Sequence, residues 1–265
     1  MSQLLTPPDT ACPTYMEFSE RYGGEILKEP GDLQLVDGDL AMTRDLDFML
    51  GDKAYDAMRR LLDDWRHKAP HIQLLFVLAQ LMVKREKEAG ERLDLAEKEA
   101  LSGPYKPFGL SQSSEFMQAW NAHFLEQEAA QAGRDVYPGC IVLMGSYALT
   151  RFRDDIVCSH DVWKTTGPTF GRRSIGEILV ASANGVRHQD EWFKTHSPTR
   201  QQLASIEVLR DALGEQPPHN TLAYSAGRCE EVIALLDQGR GYDGFTETMF
   251  SYAHEIAVLC RHSAR

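Results

Sequence analysis

A mainly α fold, a helical bundle with a small N-terminal β-hairpin or meander, is what the sequence predicts. Three observations predict it. From Tyr55 onward apolar residues recur at a period of about 3.6 residues. Only one stretch, Gly31 to Asp52, alternates apolar with polar residues. Glycine and proline then cut the remainder into helix-length segments.

Taken in order, residues 1–14 hold three prolines and few apolar anchors, so a loose N-terminus is expected there. Within "GDLQLVDGDLAMTRDLDFMLGD", Leu33 and Leu35, Leu40 and Met42, and Phe48 and Leu50 form alternating pairs. Asp37-Gly38 between the first two pairs is a two-residue hairpin signal. A meander of two or three short strands follows from it. Tyr55, Met58, Leu61, Leu62 and Trp65 then make one helical stripe. Pro70 is expected to end that helix or open the next. The run from His71 to Val83 is apolar almost all round and predicts a central helix. It continues into "KREKEAGERLDLAEKEAL", a charged, solvated helical face.

The two prolines and two glycines of "SGPYKPFGLSQSS", Ser102 to Ser114, mark a linker. It separates a first region, 15–102, from a helical second region, 114–265. Helices are expected near 114–132, 139–164, 173–196, 199–213, 224–238 and 244–262. Their breaks fall at Gly133, Pro138, Gly167-Pro168, Pro198, Pro217-Pro218 and Gly239 to Gly241. No strand is expected in this half.

Composition narrows the function. A net charge of −11 repels nucleic acid phosphate overall, so an RNA contact would need a local basic patch. The same charge suits a protein partner with a basic surface. Five scattered cysteines with no CxxC read as reduced thiols. The opening "MSQLLTPPDT" has no signal-peptide pattern, and "IQLLFVLAQLMV" is too short to span a bilayer. A cytoplasmic protein without membrane association is the expectation.

Two clusters carry candidate chemistry. On a wheel from Ile175, the core stripe is Ile175, Ile178, Leu179, Val186 and Phe193. Asn184, Arg187, His188 and Glu191 form a continuous row on the opposite side and are the candidate substrate-binding residues. Trp192 lies on a flank with Ala181 and Gly185, where small residues permit close approach of a neighbour. Asn184 and Gly185 are poor mid-helix residues, and a histidine beside an arginine suits phosphate binding. The second cluster is "RFRDDIVCSH". If it is one helix, Arg153 and His160 lie about 20° apart, beside the core stripe Ala148, Phe152, Ile156, Ser159 and Trp163.

Three Arg–His pairs have a spacing of R-x4–6-H: Arg60 with His67, Arg66 with His71, and Arg153 with His160. Only Arg153 is followed directly by a carboxylate, Asp154. This segment, with "ANGVRHQDEW", resembles the R-x4–6-H signature of HEPN domains, and the resemblance covers residues 114–265 at most. It implies a helical bundle that dimerises, and metal-independent RNA cleavage in which Arg and His from two subunits converge on the scissile phosphate. Carried onto this chain, it implies catalysis by Arg153, Asp154 and His160, with RNA as partner and a homo-oligomer as the assembly.

No HExxH, Glu-x-x-His, GxxxxGK[ST] or G-x-S-x-G occurs. His188, Asp190 and Glu191 diverge on one short stretch, so neither a metal site nor a cofactor is expected. Two function classes follow. The first is an RNA-cleaving toxin or anti-phage defence factor. The second is a non-catalytic acidic interaction protein, such as an antitoxin, inhibitor or assembly component.

Overall fold

A computed structural model describes residues 11–29, 35–36, 39–40, 42, 46–102, 114–194, 198–216, 224 and 227–263. The fold is mainly α. Its elements are α1 (Tyr15–Tyr22), α2 (Gly24–Lys28), β1 (Leu35–Val36), β2 (Asp39–Leu40), α3 (Lys53–Ser102), α4 (Ser114–Ile156) and α5 (His160–Thr165). Then come β3 (Thr169–Phe170), β4 (Arg173–Ser174), α6 (Ile175–Arg187), α7 (Gln189–Lys194), α8 (Arg200–Leu213), α9 (Cys229–Asp237) and α10 (Gly241–Ser263).

The N-terminal meander is present. β1 and β2 pair antiparallel, with Leu35 opposite Leu40 and Val36 opposite Asp39. Met42 bridges to Phe48 further along. The Asp37-Gly38 turn itself lies outside the described residues, as do residues 1–10 and the expected linker from 103 to 113.

The chain divides into two compact units, 1–74 with 139–265, and 75–138. The first is built around the predicted stripe: Met58, Leu61, Leu62 and Trp65 are all buried. Trp65 meets the rings of Phe245 and Phe250 at 6.2 and 6.3 Å, and Phe250 stacks on Tyr22 at 4.8 Å. α6 packs along α8, and α9 along α10. In the second unit, Arg134 pairs with Glu86 and Arg92 with Glu126, the register of an antiparallel helix pair. Ala89 and Ala130 are buried in it.

Several expected boundaries are corrected. Pro70 does not interrupt α3, and neither Gly133 nor Pro138 interrupts α4. An interior proline costs about 3 kcal/mol. Burial of a single large side chain offsets about 1.5–3 kcal/mol, and Trp65, Ala69 and Ile72 are all buried around Pro70. Pro70 also lacks the N–H that would reach the carbonyl of Arg66. The Cys12 thiol donates to that carbonyl instead, at 3.5 Å.

The expected helix 139–164 ends at Ile156, and α5 begins afresh at His160. Val157 between them is left-handed (φ 58°). The expected helix 173–196 starts two residues late and divides at His188. A two-residue hairpin, β3 with β4, stands where no strand was expected. Of the predicted central helix, His71, Gln80 and Val83 are exposed rather than enclosed.

Candidate functional site

α6 begins with a reciprocal cap. The Glu177 N–H donates to Ser174 Oγ, and Glu177 Oε2 accepts from the Ser174 N–H, both at 3.3 Å. From there α6 buries Ile175, Ile178 and Leu179, as the wheel predicts, and also Ser182, Ala183 and Gly185. The Ser182 hydroxyl donates to the Gly227 carbonyl at 2.5 Å. A Cβ on Gly185 would lie 2.5 Å from Gly227 Cα. The mid-helix glycine is thus required by the approach of the backbone that leads into α9.

The helix ends at His188, whose backbone leaves α-geometry (φ −114°, ψ 21°) while its N–H still donates to the Asn184 carbonyl. The N–H of Trp192 donates to the His188 carbonyl, which joins α7 to α6 by one continuous hydrogen bond across the bend. Trp192 is buried. α8 opens nearby with a second reciprocal cap, Thr199 with Gln202.

Between the α6–α7 bend and the first turns of α8 lies a cleft of about 400 Å³. Asn184, His188, Glu191 and Trp192 line one side, and Thr199, Arg200, Gln201, Gln202 and Ser205 the other. Three residues of the predicted polar row therefore share one concave site. The fourth, Arg187, is exposed and is not part of that lining.

Glu191 Oε2 stands 3.2 Å from His188 Nδ1. A carboxylate accepts, so this contact places a proton on Nδ1 and leaves Nε2 with its lone pair in the neutral ring. A histidine oriented in this way by a carboxylate is the arrangement used for general acid–base chemistry. Arg200 supplies a permanent cation at the same cleft.

The other predicted cluster is arranged differently. Ala148, Phe152, Ile156 and Trp163 are buried, as the stripe predicts, whereas Ser159 is exposed and caps α5. Arg153 Nε and Nη2 both donate to Asp154 Oδ1, at 3.0 and 2.9 Å. The same guanidinium lies 5.4 Å from the Trp163 ring centroid. Arg153 and Asp154 are brought together, but the expectation of one helix carrying both Arg153 and His160 is overturned by the break at Val157. The reason is local. Ser159 accepts from the Val162 N–H at 3.2 Å, so the chain restarts a helix there rather than continuing α4. His160 becomes the exposed first residue of α5.

A second cleft, about 480 Å³, is lined by residues including Cys12, Arg21, Tyr22, Gln73 and Asp243. Cys12 Sγ lies 4.0 Å from His67 Nδ1, which suggests a thiol with a base. The far ring nitrogen decides otherwise. Arg66 Nη2 is 2.9 Å from His67 Nε2, and arginine only donates. Nδ1 therefore carries the proton and is a donor to sulfur, not a base. Among the other cysteines, burial pushes the Cys158 thiol up to about 12, and Cys229 is buried against Ser182.

The lining contributed by α8 escaped the sequence reading. Its only signal was the Thr199-x-x-Gln202 cap, which announces a helix start but not what that start faces. Among the described residues, no three His, Cys, Asp or Glu side chains gather closely enough to hold a metal ion. No helix there is long and apolar enough to cross a membrane. No protein-family model matches the chain, no curated protein matches its sequence, and no solved structure matches its fold.

Proposed function

We propose that this protein cleaves RNA without a metal ion, and that it does so at the cleft between the α6–α7 bend and α8. The supporting observation is the His188–Glu191 pair, 3.2 Å apart, on a cleft that also holds Arg200. His188 takes the proton from a ribose 2′-OH as the oxygen attacks the adjacent phosphorus, and Glu191 holds the resulting imidazolium. Arg200 stabilises charge on the phosphate oxygens. The P–O5′ bond breaks, the His188 imidazolium returns its proton to the leaving 5′-oxygen, and a 2′,3′-cyclic phosphate remains. In this reading Arg153 is held by Asp154 and Trp163, and His160 stands apart from the chemistry.

The test is incubation of purified protein with mixed-sequence RNA in the presence of a chelator. His188→Ala and Arg200→Ala are each expected to lower the rate at least about 100-fold, the usual loss for one such group. His160→Ala and Arg153→Ala should leave it within about twofold. Loss of cleavage in the latter pair alone would return catalysis to Arg153, Asp154 and His160. No cleavage in wild type would end the enzymatic reading.

A second reading, a non-catalytic interaction protein, is favoured by one observation. In the unit 75–138, Met117, Phe124 and Leu125 are exposed, and Trp120 stacks on Phe124 with centroids 5.3 Å apart. Exposed apolar side chains gathered on one helix suit a partner surface. Under this reading Phe124→Glu changes the assembly state by light scattering, while the cleft substitutions do not.

A further inference from the structure

We infer that the outer face of the N-terminal meander, formed by Met42, Leu46, Phe48 and Leu50, docks a cationic amphipathic segment of another protein. The inference is independent of the chemistry at the cleft. Successive side chains of an extended chain point to opposite faces. Met49 is the one turned inward and is buried, whereas Phe48 and Leu50 on either side of it stand outward, 60% and 41% exposed. Met42 bridges to Phe48 and so shares its face, and it too is exposed. Leu46 is 74% exposed and left-handed at φ 66°, a conformation uncommon for a residue with a side chain.

The register that turns this face outward is fixed from α3. Arg60 Nη2 donates to the Phe48 carbonyl at 2.8 Å, and Nη1 to Asp47 Oδ2 at 2.9 Å. The Leu50 N–H donates to Asp56 Oδ1 at 2.9 Å, and Asp56 is buried and itself bonded to Arg60. A slip of one residue would bury Phe48 and Leu50 but would break all of these bonds. Apolar side chains held together in solvent by such anchors mark a binding surface. The same bonds use the Phe48 carbonyl and the Leu50 N–H, so neither is open to an incoming strand. A partner meets side chains, as an amphipathic helix laid on an apolar face does.

Charge selects the occupant. Residues 31–52 hold six aspartates and one arginine, a balance of −5. Arg60 and Arg261 pair with Asp47 and Asp52, which leaves −3. A second copy brought face to face would set −3 against −3. RNA phosphate and an anionic membrane are repelled by the same charge. A segment whose apolar stripe is flanked by lysine or arginine satisfies both the apolar face and the carboxylates around it.

The probe is a fluorescein-labelled peptide of about 18 residues, roughly five helical turns, with leucine on one face and lysine on the other. One control peptide carries glutamate for lysine, and a second has the same residues shuffled. Fluorescence anisotropy with the full chain is expected to show the lysine peptide binding at least about tenfold tighter than either control. Phe48→Ser and Leu46→Ser should each weaken it at least about fivefold, the loss that marks a side chain carrying an interface. Both side chains are mostly exposed, so the variants keep the fold, which an unchanged thermal midpoint checks. Leu125→Ser, at an exposed apolar position outside the meander, should leave binding unchanged. Equal affinity for the three peptides, no binding, insensitivity to both meander variants, or equal sensitivity to Leu125→Ser would each overturn the inference. A dimer in sedimentation velocity that Phe48→Ser dissociates would overturn it in favour of a second copy. Binding to phosphatidylserine vesicles that Phe48→Ser abolishes would overturn it in favour of a membrane.

Discussion

Gly185 shows how much one missing methyl group matters. Alanine there gains helix propensity of up to about 1 kcal/mol. It also drives a Cβ to 2.5 Å from Gly227 Cα and 2.6 Å from Gly227 N, both of them backbone atoms with little freedom to yield. Overpacking of this kind costs about 1–3 kcal/mol, so Gly185→Ala is expected to lower the urea midpoint. Gly90 in α3 is the control. A Cβ there meets only Gln127 Nε2, at 3.5 Å, an ordinary contact. Gly90→Ala should therefore raise the midpoint, through a gain in stability of about 0.5–1 kcal/mol. The sequence marked Gly185 as anomalous and placed it on a flank suited to close approach. It also aligned Asn184, His188 and Glu191 on one row. It did not single out Arg200 or Gln201, because nothing in a linear pattern says which surface of α8 meets the end of α6.

Among the elements the sequence reading missed, α1, α2 and the β3–β4 hairpin, the hairpin had a local signal. Gly171-Arg172 joins two paired residues on each side, and Gly171 is left-handed at φ 62°, as a two-residue hairpin with glycine first demands. The strands are so short that no alternation can register. Tertiary contact holds the hairpin: Arg173 donates to Asp211 on α8 from Nε at 3.1 Å and from Nη2 at 2.7 Å, and reaches Glu207 at 3.1 Å. The Arg173 hydrogen bond holds the Asp211 carboxyl below its usual range. A carboxyl depressed in the folded state adds stability above its unfolded value, and that stability is lost as pH falls through the folded one. Thermal unfolding followed from pH 7 to pH 2.5 should show the consequence. Asp211→Asn is expected to be less stable than wild type at neutral pH, and the difference should shrink below about pH 4. A gap unchanged across that range would mean that the pair is sterically rather than electrostatically important. Prolines misled the reading in the other direction, since Pro70 and Pro138 sit inside helices whose packing outweighs their local cost.

At the level of the whole chain, the mainly α class and the N-terminal meander were legible, because periodicity and the Asp37-Gly38 dipeptide are local properties. The division into units was not. Composition shifts at 102–114, yet the contacts divide the molecule within α3 and α4, where no change in residue type announces it. This discontinuity has a consequence in time. Unit 75–138 is made of neighbours in sequence, whereas Trp65 in the other unit must wait for Phe245 and Phe250. Local contacts close faster than distant ones. Pulse-labelling hydrogen exchange during refolding should find amides of 75–138 protected before those of α10, and simultaneous protection would contradict that order. On the ribosome the delay is longer still. At roughly 5–20 residues per second, the apolar stripe of α3 emerges about ten seconds or more before its partners exist. A nascent chain halted between the two would present Met58, Leu62 and Trp65 to solvent, and such a chain is the form of this protein that most needs a chaperone.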